Sequence, residues 1–500
     1  MINVPTITLE QHQEIVGSLQ QKISYLQEQL EWFQRQIFGQ RSEKFIADLD
    51  QKQMTMELLD TVPSSTLPKQ IVAEHERRKR VPTGEDAISL PPDLPVERQI
   101  LDLPEEEKIC KASGKPLVQI GEEVTRKLAH RPGSFYVKEI IRPKYALPTL
   151  ESGIAIASLP EGLLDRCLAD ESFLANLLTQ KYADHLPLYR ISEILGRENI
   201  SISRQILCQW VLRCGSALKP LYEELIKKIL ESGNVFADET PVKMLDPGRG
   251  STLQGYMWVL VGGKEANPGY RAYSFSTGRH HSYAAALLFE YRGVLHSDKY
   301  GGYEKLANEK QFTWCPCWAH IRRKFIEAES GDPAFRQWVL RKIRYLFMLE
   351  KVAWARSEEE RLRIRQDNEA PIIDELIVKI QDRLVRGQIL PKSKLYDALG
   401  YFCRLIPHLK NYTQHPFAHL DNNVAERAIR PLALGRKNWL FLGSEKGGDA
   451  AGVILSLVQT CRACGINPRE YLEDVMRRLQ AHSNQKLYEL LPDNWAKARS

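Results

Sequence analysis

Asn234-Val235-Phe236-Ala237-Asp238 is a short apolar run ending in an acid, and Gly293-Val294-Leu295-His296-Ser297-Asp298 repeats the pattern further along the chain. The first follows Gly233 and the second opens on Gly293, and both have the length and composition of a buried strand. A lone aspartate after a strand is most often a turn or cap residue. Two at matching positions point to a shared site. Between them, GYMWVLV (255–261) and YRAYSFS (270–276) read as strands separated by the turn-forming stretch 262–269, and HSYAAALLFEY (281–291) reads as a helix. After Asp298 come a helix around 303–308 and a strand at 312–315.

The order is therefore three strands, helix, strand, helix, strand, an α/β arrangement. A ribonuclease-H-like sheet is built this way: antiparallel strands first, then parallel strands reached through helical crossovers, with the first and fourth side by side. Asp238 and Asp298 are then neighbours at the C-terminal ends of adjacent strands. Two adjacent carboxylates repel unless a cation lies between them. An all-oxygen site suits Mg²⁺ (or Mn²⁺), which keeps waters for chemistry.

A third acid is expected from a later helix. Asp421-Asn422-Asn423-Val424-Ala425-Glu426-Arg427 supplies it: Asp421, Asn422 or Asn423 caps the helix, and Glu426 falls in its first turns. Asp421 reads as a cap rather than a ligand. Glu239 competes with Asp238, but strand alternation directs it to the opposite face. Three carboxylates holding two divalent ions can drive in-line attack on a phosphodiester, one ion activating water or a 3′-hydroxyl and the other stabilising the leaving oxygen.

Working outward, residues 161–232 read as helical. A short helix at 188–195, a turn at 196–200 and a second helix capped by Ser201 or Ser203 give a helix-turn-helix-like outline, a candidate DNA-binding region. Residues 96–160 form a small β-rich module, with a strand at 135–141 that Pro143 and Pro148 should end. Residues 61–95 are a proline-rich linker carrying Arg77-Arg78-Lys79-Arg80, either a solvated run or a phosphate-contacting arm. In residues 1–60, Val16, Leu19, Ile23, Leu26, Leu30, Phe33 and Ile37 keep the a/d spacing of a coiled coil. A homodimer or higher oligomer through this helix is expected, the alternative being an amphipathic helix packed on its own domain.

Five hundred residues exceed one compact core. With 43% hydrophobic and 26% charged residues the composition is that of a globular chain, excluding fibrous and wholly disordered classes. A net charge of +6 permits a polyanionic partner without demanding one. The first ten residues have no signal-peptide pattern and no apolar run is long enough to span a bilayer, so a cytoplasmic, nucleoid-associated protein with no membrane partner is expected. The nine cysteines lack a secreted-scaffold spacing.

The motifs ADETPVKMLDPGRG (237–250), LHSDKYGGY (295–303), CWAHIRRKF (317–325) and DNNVAERAIRPLALGRKNWLFLGSEKGG (421–448) resemble the IS66 family of bacterial insertion-sequence transposases, as does the tail with NPREYLEDV and LLPDNW. The resemblance covers nearly the whole chain. It implies that Asp238, Asp298 and Glu426 are the catalytic, metal-holding triad of a ribonuclease-H-like core (233–450). It also implies a helical insertion at about 326–420, a helical cap at 451–500, metal-dependent cleavage of element ends and strand transfer into target DNA. Accessory proteins of the element are possible partners by the same resemblance.

One departure matters. Relatives carry paired cysteines in the small module, whereas here CKASGKPL keeps only Cys110 and YALPTLESG has none. One thiol cannot build a tetrahedral zinc site, so 96–160 reads as a degenerate zinc-finger-like module without zinc. Cys315, Cys317 and His320 are a conceivable replacement, against the simpler reading of buried packing thiols; Cys461 and Cys464 read as packing too. Arg427, Arg430, Arg436 and Lys437 crowd the Glu426 helix and the strand-like NWLFLG after it. With His320, Arg322 and Arg323 they are the candidate DNA-backbone contacts. The basic runs at 341–344 and 361–365 read as a solvated face or further DNA contacts. A DNA-binding regulator that keeps the scaffold but does not cut is the alternative to an active transposase; the missing zinc ligands favour it and the intact acids oppose it.

Overall fold

The computed structural model describes residues 92–499 except 93, 110–115, 132, 147–154, 160–161, 247, 249, 263–268, 311, 330 and 388. The heptad segment, the basic cluster at 77–80, Cys110 and most of YALPTLESG lie outside the described residues. The chain divides into two compact units. The larger comprises residues 83–319, 353–366 and 408–500; the other, among the described residues, comprises 320–352 and 367–407.

In the larger unit, β1 (Val96–Ile100), β2 (Val118–Arg131), β3 (Ser134–Ala146) and β4 (Ala155–Ile156) form a small sheet in which β1 and β2 flank β3 and β4 adds to β3's end. β2 and β3 are a long hairpin that turns at Gly133, whose φ of 83° suits glycine. Pro143 does not end β3, contrary to the sequence expectation. It falls between Ile141, where β1 stops pairing, and Lys144, where β4 begins, so its missing N–H disrupts neither ladder. Four helices follow: α1 (Glu171–Tyr182), α2 (Leu188–Arg197), α3 (Arg204–Ala217) and α4 (Lys219–Glu231). Ser203 caps α3, its hydroxyl accepting from the Ile206 N–H at 3.3 Å.

The central sheet contains β5 (Asn234–Leu245), β6 (Thr252–Gly262), β7 (Arg271–Ser276), β8 (Val294–Ser297) and β9 (Thr313–Pro316), in the order β7-β6-β5-β8-β9. β5, β6 and β7 are antiparallel neighbours, while β8 and β9 run parallel to β5 and to each other. The first and fourth strands of the set are thus adjacent. β5 does not stop at Asp238 as its apolar run suggested, because β6 pairs with it as far as Leu245. β8 pairs only as far as Phe236↔His296, so Asp238 and Asp298 both lie just past the last parallel pair. Val235, Phe236, Ala237, Val294, Leu295, His296 and Ser297 are all buried, as central parallel strands covered on both faces require. α5 (His281–Leu287) and α6 (Gly301–Lys310) are the crossovers, and α7 (Trp318–Glu327) leaves β9.

In the smaller unit, α8 (Pro333–Ala353), α10 (Ala370–Val385) and α11 (Lys394–Leu405) bury stripes at helical spacing: Val339, Ile343 and Leu346 on α8, Ile373, Leu376 and Ile380 on α10. Lys342 pairs with Glu375 at 2.5 Å across α8 and α10. The basic run at 361–365 departs from its expected solvated face. It belongs to the larger unit, on α9 (Glu358–Ile364), which continues through a π turn (Arg365–Glu369); Arg361 is 8% exposed and Arg365 fully buried.

The chain ends with α12 (Asn423–Trp439), α13 (Glu445–Ala463), α14 (Pro468–Arg478) and α15 (Pro492–Lys497). NWLFLG is not a strand: its first residues finish α12, Leu440 turns back at φ 62°, and only Leu442 pairs with β5, exchanging 2.8 Å bonds with Lys243 and Leu245. The core–cap boundary read at 450/451 falls inside α13. That helix lies against β7, where a Cβ on Gly452 would meet the Tyr273 carbonyl at 2.7 Å and the Ser456 hydroxyl accepts from the Tyr273 N–H at 2.8 Å.

Candidate active site

Asp238 stands in β5 where the chain leaves its parallel neighbour, half-buried, with Oδ1 accepting from the Glu239 N–H at 2.9 Å. Asp298 follows β8, and its Oδ1 accepts from the Tyr300 N–H at 3.0 Å in a turn that launches α6. Glu426 lies in the first turn of α12. Asn422 fixes that helix by spending its side chain on the sheet: its Nδ2 donates to the Ala237 carbonyl at 2.9 Å, while its own carbonyl takes the Glu426 N–H at 3.2 Å. Its backbone N–H reaches Cys317 Sγ at 3.2 Å. Asp421 stands one residue before the N-cap, Asn422, and closes a turn there, its Oδ1 taking the Asn423 N–H at 3.1 Å.

The three carboxylates come close enough to feel one another. Burial, reinforced by the charges of Asp298, Glu239 and Glu426, pushes the Asp238 carboxyl up to about 8. Half-buried carboxylates gathered around Asp238 in this way are the condition that a bound cation relieves, and Asp238, Asp298 and Glu426 offer oxygen donors of the kind a hard divalent ion takes. These residues fit a Mg²⁺- or Mn²⁺-type ion.

Glu239 has a different role from its neighbour. Its carboxylate accepts from Arg279 Nε at 2.7 Å and from the Tyr303 hydroxyl at 3.2 Å, and its side chain is 1% exposed. Burial and the Asp298 charge still raise it, with Arg279 opposing. The Arg279 guanidinium lies 4.6 Å from the Tyr300 ring centroid, and the Tyr300 hydroxyl donates to the Arg279 carbonyl. Arg279 and Tyr303 were not singled out in the sequence, and Asn422 was read only as one of three candidate caps, not as the residue whose side chain bonds the sheet. Tyr303 lies inside the DKYGGY motif and Asn422 inside DNNVAER, but no local pattern joins Arg279 to a strand forty residues earlier.

Of the expected DNA contacts on α12, Arg427, Arg430 and Lys437 are exposed. Arg436 is half-buried and partly committed, donating to Thr240 Oγ1 at 2.9 Å and to the Pro241 carbonyl at 2.6 Å, which ties α12 to β5. On α7, Arg322 and Arg323 are exposed and His320 is half-buried. Cys315 and Cys317 are buried, and burial holds the Cys315 thiol far above its ordinary range, as it does for Cys461.

The model of the Transposase IS66 family matches residues 166–450, an IS66 C-terminal element matches 456–492, and a segment described as Transposase C of IS166 homeodomain matches 25–98. The chain belongs to the IS66 transposase family. Among relatives of this IS66 chain, uncharacterized protein y4jD of Sinorhizobium fredii is 30% identical over 97% of this chain and 97% of its own. Uncharacterized protein y4qI of the same organism is 30% identical over 96% and 90% respectively. The family match spans both carboxylate-bearing strands and Glu426. No helix among the described residues is long and apolar enough to cross a membrane.

Proposed function

We propose that this chain is an active transposase of the aspartate-aspartate-glutamate type, with a ribonuclease-H-like core that cleaves the ends of its element and joins them to target DNA. The observation that carries the reading is that Asp298 and Glu426 both lie close enough to Asp238 for their charges to add to burial in lifting its carboxyl to about 8. Asp238, Asp298 and Glu426 would hold divalent ions, which when bound supply charge neutralisation and an activated water or 3′-hydroxyl. The chain's own residues do the positioning. Asn422 locks the Glu426 helix to β5, and Arg279 keeps Glu239 turned to its own partner. Arg427, Arg430 and Lys437 offer exposed positive charge for a phosphate backbone.

The test is 3′-end nicking of the element's terminal inverted repeats in Mn²⁺ or Mg²⁺. Wild type should nick, and Asp298→Ala and Glu426→Ala should fall to background while still binding the ends. Variants that nick like wild type would refute the assignment. Wild type that binds ends without cutting would favour a regulatory derivative.

A further inference from the structure

Arg365 lies outside the acid cluster and touches none of its carboxylates in any bond described above, yet it is among the most deeply buried large side chains of the protein. A guanidinium is costly to desolvate unless its donors are satisfied. Four carbonyls of one stretch accept from it. Nη1 donates to the carbonyls of His415 at 2.6 Å, Tyr412 at 3.3 Å and Pro416 at 3.4 Å, and Nη2 to that of Ala418 at 2.8 Å. Arg361, one helical turn earlier, adds a 2.8 Å bond to the Pro416 carbonyl and lies 3.9 Å from the Trp354 ring centroid. Trp354 stacks on His419 at 4.4 Å.

This stretch is the approach to the Glu426 helix, and the sheet grips its other side. Asn234 Nδ2 donates to the Phe417 carbonyl at 3.1 Å, and Asn234 Oδ1 lies 2.9 Å from His296 Nε2. Phe236 stacks on His296 at 4.5 Å and meets His419 edge-on at 5.0 Å. The Trp318 N–H then donates to the Leu420 carbonyl at 3.0 Å, and Asn422 closes the path on Ala237. Asn234 and His296 sit on the strands that carry Asp238 and Asp298. One connected set of contacts therefore joins all three acid-bearing elements, and Arg365 is the fork at its outer end.

We infer that Arg365 is a positioning residue: by clamping the segment 412–418 it sets where α12 presents Glu426 to Asp238 and Asp298. The inference rests on the proposed role of those acids. A lysine at this position keeps the charge but gathers its three donors on one nitrogen, so it cannot serve the His415 and Ala418 carbonyls from separate nitrogens as the guanidinium does.

The experiment compares full-length wild type with Arg365→Lys in three readouts: Mn²⁺ affinity by calorimetry without DNA, Mn²⁺ concentration for half-maximal nicking, and affinity for end DNA. Loss of an outer support of a metal ligand typically weakens metal binding about 10- to 100-fold. Mn²⁺ binding and the half-maximal concentration should therefore both shift by roughly tenfold or more, with end binding unchanged. Folding is checked by melting; should Arg365→Lys fail to fold, Arg361→Lys removes a single bond to the segment and should shift Mn²⁺ affinity the same way by a smaller factor. A folded variant with wild-type Mn²⁺ affinity overturns the inference. Wild type that neither binds Mn²⁺ nor nicks overturns the transposase reading itself, and the clamp with it.

Discussion

Replacing Asp238 by asparagine should stabilise the metal-free protein at alkaline pH. Asp238 has an ordinary value of 3.8 and is lifted to about 8 in the fold, first by burial and then by Asp298 and Glu239. The folded state therefore holds this proton more tightly than the unfolded chain. Stability from this group is present at low pH and is lost as pH rises from about 4 to about 8. At about 1.4 kcal/mol per pH unit the full penalty would approach roughly 6 kcal/mol. Water entry and relaxation around a half-buried carboxylate bring it to on the order of 2–3 kcal/mol. Asparagine keeps the shape and cannot ionise. Asp238→Asn in chelator should therefore exceed wild type by about that amount at pH 8.5, a few degrees in Tm for a unit of this size. The gain should shrink steadily toward pH 5, and taking the difference between the two proteins cancels the titrating groups that do not couple to Asp238. Adding Mn²⁺ should close most of the gap, since an ion at a hundred times its Kd stabilises wild type by about 2.7 kcal/mol and the variant lacks a ligand. A variant less stable than wild type at pH 8.5 in chelator, or equal protection of both by Mn²⁺, would refute the reasoning.

Arg279→Ala leaves the buried Glu239 carboxylate without its guanidinium and should cost about 1–3 kcal/mol, below the value for a fully buried pair because the arginine side chain is 42% exposed. Adding Glu239→Gln should recover most of the loss in a denaturation-based double-mutant cycle, and strictly additive losses would contradict the pairing. Leu440→Gly should stabilise by roughly 1 kcal/mol, since the residue is exposed and holds a φ of 62° that costs a branched side chain but not glycine. A fall in Tm would count against strain at this turn.

The order of the sheet was legible because each strand carries its own signal: an apolar run, a glycine break, a helix of crossover length. Asp238 and Asp298 follow from that order, since a parallel pair places equivalent strand ends together. Strand limits were less legible. β5 runs past Asp238 because its antiparallel partner continues, and β3 runs through Pro143, in register with Glu122 of β2, because on its other side β1 has stopped pairing and β4 has not begun; both depend on what lies alongside rather than on the strand's own residues. NWLFLG has the composition of a strand, yet its first residues complete α12 because the helix is already docked on β5 through Asn422 and Arg436.

The third acid shows where local pattern gives way to packing. A capped helix with an early glutamate is common, and nothing in Asp421–Arg427 says which sheet edge it faces. What fixes it are bonds spanning long stretches of chain: Asn422 to Ala237, Asn234 to Phe417, and Arg365 to the carbonyls leading into the helix. In the sequence Arg361 and Arg365 belong to a basic run, and a basic run on a helix is ordinarily solvated. Burial inverts that meaning. A guanidinium surrounded by carbonyls is no longer a surface charge but a multidentate donor, so two arginines of a run that reads as a solvated face or as DNA contacts are here bound to the segment leading into the Glu426 helix.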